Sequence, residues 1–183
     1  MSGFIIGVAG KAGAGKDTAA AAIIKEFNPT FEYAFARPIK EAAKILMGWT
    51  DEHVRGELKE VVDPLYGVSP RYVMQTLGTE WGRKIIKSTL WTLRAKRFIE
   101  TCREQDPNCN IVITDVRFDS EASFIIDLGG AVLNISRPSN DKVVLEHSSE
   151  DGVSDCLITK SIINDGTVVE LHEAVIKYVF FTP

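Results

Sequence analysis

An α/β fold, a parallel five-stranded sheet flanked by helices, is predicted by three observations. Apolar runs of strand length alternate with helical stretches, the pattern of successive βαβ units. The first run, "FIIGVA", passes through "GKAGAGKDT" (Gly10–Thr18) into the alanine-rich "AAAAIIKEF", so strand, glycine turn and helix follow without a gap. That turn has the spacing G-x-x-x-x-G-K, from Gly10 to Lys16, of a phosphate-binding loop.

The elements follow in order. Phe4–Ala9 is a short buried strand, and Lys16–Phe27 a helix stopped by Asn28–Pro29. "FEYAFA" (Phe31–Ala36) is a second strand. "RPIKEAAKILMG" is a helix with Pro38 in its first turn and Gly48 just past its end. Residues 49–68 are polar and irregular, a flap or connection. "SPRYVMQTLGTEWG" is a helix with Ser69 as N-cap and Pro70 at its first position. Ser88 or Thr89 caps the next, which runs to about Arg103 with Trp91, Ala95, Phe98 and Cys102 on a core stripe. "NIVITDV" is a strand ending in Asp115, and "SEASFIIDLGG" a helix closed by Gly129. "AVLNISRP" is a strand ending at Arg137, and Ser139–Ser154 is a polar loop. "LITKSIIND" holds the last strand, Asp165–Gly166 turns, and "TVVELHEAVIKYV" is the final helix. Ligands of parallel sheets sit at the carboxyl ends of the strands. The glycine loop, Asp115, Arg137 and Asn164 all fall there.

The bulk numbers narrow the function. A chain of 183 residues is one domain, and 45% hydrophobic residues supply a core. A net charge of −4 and a pI of about 5.4 argue against a nucleic-acid coat. Three cysteines without C-x-x-C spacing suggest reduced thiols in a cytoplasm. "FIIGVAG" is too short for a signal core or a membrane span. Repeats and low-complexity segments are absent.

Within the loop, Gly13 and Gly15 let backbone N–H groups turn inward around an anion, with Ala14 between them. Lys16 adds charge for the outer phosphates, and the following helix presents its N-terminus. The residue after Lys16 is usually Ser or Thr, which ligates Mg²⁺. Here it is Asp17, and the hydroxyl comes one place late, at Thr18. Asp115 either positions Mg²⁺ and the nucleophile or serves as a helix cap or a partner of Arg117. Arg71 and Gln75 share a helix face, with Arg83 downstream; that face suits a phosphate plus a base edge, or is simply solvated. Arg94 and Arg97 read as solvated. His147 has no second ligand at metal spacing and reads as a loop hydrogen bond. Arg137 can reach a transferring phosphoryl group from a lid.

Together these segments resemble bacteriophage deoxynucleoside monophosphate kinases. "GKAGAGKDT" resembles the family's loop with its Lys-Asp-Thr, "ARPIKEA" its Pro-Ile-Lys helix start, and "RYVMQTLGT" its Arg-x-x-Met-Gln-x-x-Gly-Thr segment. Trp91 matches a downstream tryptophan. "TDVRFDSEA" resembles its Asp-x-Arg…Glu segment, and "GGAVLNISRPSND", His147, Glu150 and "INDGTVVEL" resemble its lid and last strand. The chain is shorter than the better-known members before the Arg-x-x-Met-Gln segment. The resemblance implies ATP-dependent phosphorylation of a deoxynucleoside monophosphate in a P-loop NTPase fold. It implies that Lys11, Lys40, Arg71, Thr79, Trp91, Asp115, Arg117 and Glu121 face the monophosphate. Arg37, Gln75, Gly78 and Arg83, in the same segments, join that substrate set.

The expected architecture is therefore one P-loop kinase domain with a monophosphate-binding helical segment (37–105) and a short lid (137–153). Gly13–Thr18 and Asn164 bind ATP, Thr18 through the α-phosphate. Asp17 serves the water shell of Mg²⁺. Lys16, Asp115, Arg117 and Arg137 are the expected catalytic groups. Partners are small nucleotides, with neither nucleic acid nor membrane, and a homodimer is left open. The alternatives are another small-molecule kinase, for dephospho-coenzyme A or phosphomevalonate, or a GTP switch or motor. Against the last two stand the missing N-K-x-D motif and the missing Glu beside Asp115.

Overall fold

The structure, a computed structural model, describes residues 3–138 and 152–181. The expected lid therefore lies largely outside the described residues, as do His147 and Glu150. Two compact units are distinguished: Met1–Ala34 with Lys96–Pro183, and Phe35–Ala95.

The first unit is built on five parallel strands in the order β2-β3-β1-β4-β5. β1 (Ile5–Ala9) is central and buried at all five positions. A strand covered on both faces has no polar side to alternate with, so its sequence is continuously apolar. β3 (Asn110–Val116) and β4 (Ala131–Ser136) flank it, with Ile6 opposite both Val112 and Ala131. β2 (Thr30–Tyr33) and β5 (Lys160–Ile163) form the edges.

α1 (Lys16–Glu26) and α7 (Val168–Phe181) supply Ala19, Ile23, Leu171 and Val175 to a core with Ile6, Val8, Leu133 and Ile135. α6 (Asp119–Asp127) inserts Ile125 beside Gly7, where a Cβ would meet the Ile125 Cδ1 at 2.5 Å. A side chain on that face of β1 would force the buried Ile125 and Val116 side chains to shift. All three cysteines are free; burial pushes the thiols of Cys102 and Cys109 up, which keeps them protonated and inert.

β2 is shorter than the apolar run Phe31–Ala36. Its last pair with β3 is Tyr33 with Ile113, and the chain then turns so that α2 (Arg37–Met47) can start with Pro38 in its first turn. The apolarity of Phe35 reflects burial, 3% exposed, rather than strand pairing.

The second unit starts with α2, which ends as expected at Gly48 with φ 68°. The stretch 49–68 is more ordered than its polarity predicts. It contains α3 (Asp51–Arg55), a tight turn of helix at Glu57–Glu60 and a bridge between Asp63 and Val68. The cause is Trp49, 6% exposed, whose Nε1–H donates to Asp63 Oδ2 at 2.6 Å. His53 stacks on the indole at 6.0 Å between centroids, Tyr66 meets it edge-on at 5.9 Å, and the Tyr66 hydroxyl donates to the Met47 carbonyl at 2.9 Å. The Trp49 hydrogen bond also holds the Asp63 carboxyl below the usual carboxylate range.

Ser69 caps α4 (Pro70–Gln75), its Oγ accepting from the Tyr72 N–H at 3.3 Å. The helix then widens to i→i+5 hydrogen bonding over Thr76–Ile86. Trp91, on α5 (Leu90–Gln105), accounts for the site of the widening. Its Nε1–H donates to the Gly78 carbonyl at 2.8 Å, and a Cβ at Gly82 would sit 2.6 Å from its ring. The stripe on α5 holds at Trp91, Ala95 and Cys102; Ile99 is fully buried, while Phe98 is half-buried and stacks on Tyr33 at 4.9 Å.

Leu133 is fully buried in the middle of β4. Leu133→Ala should cost about 2–5 kcal/mol of unfolding free energy, read by urea denaturation, because the sheet and helices around it cannot close the void.

Candidate active site

The loop after β1 takes three left-handed glycines, Gly10, Gly13 and Gly15, at φ 138°, 73° and 102°. L-residues with a Cβ rarely adopt such values, so the glycines are what allows the chain to fold back over the end of β1. Gly15 is the N-cap of α1 and supplies no capping side chain. Asp17 stands in that first turn, exposed. The Lys16 ammonium donates to the Lys11 carbonyl at 2.7 Å, which draws its charge over the loop.

A cavity of about 300 Å³ opens at this loop. Gly13, Gly15, Lys16, Asp17 and Thr18 form one side; Arg137, Asn164, Gly166, Val168 and Leu171 form the other. Lys16, Asp17, Thr18, Arg137 and Asn164 are thus brought together from three separate parts of the sequence. Ala14 is buried, and its carbonyl accepts from Asn164 Nδ2 at 2.8 Å. Arg137 leaves the end of β4 and donates from Nε to the Asn164 carbonyl at 3.3 Å. Gly166, Val168 and Leu171 are cavity residues that the sequence reading did not single out. Their signal was positional: they follow Asn164 at the carboxyl end of the last strand.

At the end of β3, Ala9 pairs with Val116, so Gly10 and Arg117 leave neighbouring strands at the same edge. Asp115 and Arg117 are half-buried there. Glu121 is 2% exposed, and its Oε2 accepts from the N–H groups of Arg117 at 2.8 Å and Phe118 at 3.2 Å. The carboxylate thus fixes the turn that carries Arg117. Asp119 accepts from the Ser154 N–H at 2.8 Å and hydroxyl at 2.6 Å. Lys11 is exposed.

The second unit carries the remaining expected substrate residues. Gly78, Thr79 and Trp91 are buried together, the Gly78 carbonyl accepting the indole N–H. Arg71 is ion-paired through Nη1 to Glu60 Oε1 at 2.8 Å. Lys40, Gln75 and Arg83 are half-buried and Arg37 is exposed. Arg94 and Arg97 are exposed, in line with a solvated face. Among the described residues, no three His, Cys, Asp or Glu side chains cluster to hold a metal ion, and no helix is long and apolar enough to cross a membrane.

The model of the deoxynucleotide monophosphate kinase family matches residues 52–175. The chain belongs to that family. A protein of Acanthamoeba polyphaga mimivirus, provisionally named a deoxynucleotide monophosphate kinase, is 32% identical over 96% of this chain and 95% of its own length. The deoxynucleoside-5'-monophosphate kinase of Escherichia phage T5 is 27% identical, over 87% of this chain and 89% of its own. Among solved structures, a sugar kinase of Janibacter sp. superposes with a TM-score of 0.54 at 12% identity, covering 100% of this chain and 97% of that one. At such identity the likeness speaks for the fold alone. This member of the family is thus a kinase whose phosphate loop opens on a cavity shared with the ends of β4 and β5.

Both Ser154 groups donate to Asp119, which holds its carboxyl below the usual range. A depressed folded pKa stabilises the contact above the ordinary aspartate pKa and loses it as pH falls through the folded value. The Ser154 amide resonance should therefore titrate with a midpoint below that of a free aspartate, and Asp119→Asn should abolish the titration.

Proposed function

We propose that the chain transfers the γ-phosphoryl group of ATP to a deoxynucleoside monophosphate, giving ADP and the diphosphate. The observation that carries this reading is the cavity in which the phosphate loop, with Lys16, Asp17 and Thr18, faces Arg137 and Asn164. Family membership supplies the acceptor class. Phosphoryl transfer asks little covalent chemistry of a protein; it asks for alignment and for positive charge around the transferred group.

In this reading the loop N–H groups and the N-terminus of α1 hold the donor phosphates, with Thr18 at the α-phosphate. Lys16 neutralises charge on the β- and γ-phosphates. Arg137 and Arg117 stabilise the equatorial oxygens as charge spreads over them. Asp115 orients the acceptor. Glu121 contributes by holding the peptide of Arg117 in place.

Mg²⁺ takes oxygen ligands and keeps several of its waters, and an exposed carboxylate lining the cavity fits that demand. We assign Asp17 to its water shell, where the ion supplies charge neutralisation of the phosphates. On the acceptor side we assign Arg71, Lys11, Arg37, Lys40, Gln75 and Arg83 to binding of the monophosphate. We assign Gly78, Thr79 and Trp91, buried together, to the same substrate set. The reading needs small nucleotides as partners, in the cytoplasm of the cell in which the protein is made. It requires neither nucleic acid nor membrane.

The deciding experiment is ATP turnover with and without each deoxynucleoside monophosphate, with dephospho-coenzyme A and phosphomevalonate as control acceptors. Stimulation by a monophosphate alone is the expected result; equal turnover without any acceptor would defeat the reading. Lys16→Ala should lower kcat by about 10²- to 10³-fold, by analogy with loss of one donor to a developing charge, while the circular dichroism spectrum is preserved.

Arg71→Ala should raise KM for the monophosphate about 10- to 100-fold and leave KM for ATP within a factor of two. The range follows from about 1.5–3 kcal/mol for a hydrogen bond to a charged group. Arg71→Lys should recover only part of the loss, since it keeps the charge and gives up the two-pronged geometry. Equal effects on both substrates in steady-state kinetics would assign Arg71 a structural role with Glu60.

A further inference from the structure

We infer that Asn164 is a positioning residue for ATP binding: one buried side chain sets the phosphate loop, and its main-chain carbonyl sets Arg137. The inference rests on the reading of the loop cavity as the ATP site.

Asn164 follows the last residue of β5, and its own N–H still donates to the Ser136 carbonyl at 2.7 Å. Its backbone is therefore part of the sheet and as rigid as the sheet. The side chain is 5% exposed and reaches across to the loop, where Nδ2 donates to the Ala14 carbonyl at 2.8 Å. The acceptor is a carbonyl, which fixes which end of the amide faces it.

A trans peptide carries its C=O and N–H in opposite directions. Holding the Ala14 carbonyl toward Asn164 therefore aims the N–H of Gly15 the other way, within the set of loop donors that a phosphate would use. Gly15 completes the fit. At its φ of 102° a Cβ would be strained and would run into Asn164 Nδ2, so the approach of Asn164 to the loop needs a glycine there.

The third contact links the loop to a charge. Arg137 Nε donates to the Asn164 carbonyl at 3.3 Å, and both residues line the cavity with Lys16. Moving Asn164 would thus shift the loop peptide and the arginine together. A residue that merely ended the strand would need only its main chain. The 150-position span to Ala14 has no role in closing the sheet.

The test uses Asn164→Ala and the milder Asn164→Ser, in the full chain, with four readouts: thermal midpoint, equilibrium Kd for ATP, KM for the monophosphate, and amide exchange of the loop against the sheet. Loss of one neutral hydrogen bond to the loop should raise the ATP Kd about 3- to 10-fold in the Ala variant. KM for the monophosphate should stay within a factor of two, and exchange should quicken in 13–18 but not in β1 and β3.

Adding Arg137→Ala should multiply the two Kd penalties, because the Ala variant at position 164 keeps the main-chain carbonyl that holds Arg137. An unchanged ATP Kd in a folded variant would overturn the inference, as would equal losses for both substrates with exchange raised across the whole sheet. If the Ala variant does not fold, the Ser variant is judged by the same readouts. Should the wild type bind ATP yet ignore monophosphates, the proposed reaction falls while the Kd and exchange measurements still decide the role of Asn164.

Discussion

Gly10 leaves β1 so close to β4 that a Cβ would run into the Ile135 carbonyl oxygen. The phosphate loop is therefore pinned to the sheet at its first residue, by backbone against backbone. Everything that the site needs follows from that approach. The loop can turn back over the strand end only through left-handed conformations, which three glycines provide. Its far end becomes the N-terminus of α1, and its middle carbonyl is caught by Asn164.

The sheet order then decides which side chains meet the loop. β1 lies between β3 and β4, and β5 lies beyond β4. Parallel strands deliver all their carboxyl ends to one edge. Arg137 and Asn164 arrive from β4 and β5 on one side, and Asp115 and Arg117 arrive from β3 on the other. Two of the turns at this edge are tied down by a polar side chain acting on backbone: the phosphate loop by Asn164 on Ala14, and the turn after β3 by Glu121 on Arg117 and Phe118. Such contacts leave the cations directed by rigid peptide groups rather than by long flexible stems.

In the second unit two tryptophans do the ordering that charge alone would not. Trp49 converts a polar stretch into short helices by giving it an apolar anchor and one hydrogen bond to Asp63. Trp91 occupies the space left by Gly82 and takes the Gly78 carbonyl, and the helix widens around it. The polar composition of 49–68 suggests a flap because its one anchor, Trp49, stands at its first position and the partners of that anchor are scattered. The "TDEH" start of α3, with Thr50 joined to His53 Nδ1 through its N–H at 3.3 Å, is the local signal that composition hides.

Local sequence determined the parts whose geometry is set within a few residues. The glycine spacing in "GKAGAGKDT" specified a loop that only left-handed backbone can form. Ser69 with Pro70 specified a helix start, and Gly48 and Gly129 specified helix ends. Alternating apolar segments specified parallel strands, and with them the edge where Lys16, Asp115, Arg137 and Asn164 lie. What depends on distant partners was decided only by tertiary structure. Tyr33 ends β2 although β3 runs on to Val116, because the chain turns there toward α2, and Glu121 is drawn under the turn that it braces. Val168 and Leu171 become walls of the cavity because α7 packs on α1, a contact between segments some 150 residues apart in sequence. Side-chain type and spacing encode backbone conformation locally, but a cavity is the space left between packed elements, and no single stretch of chain contains it.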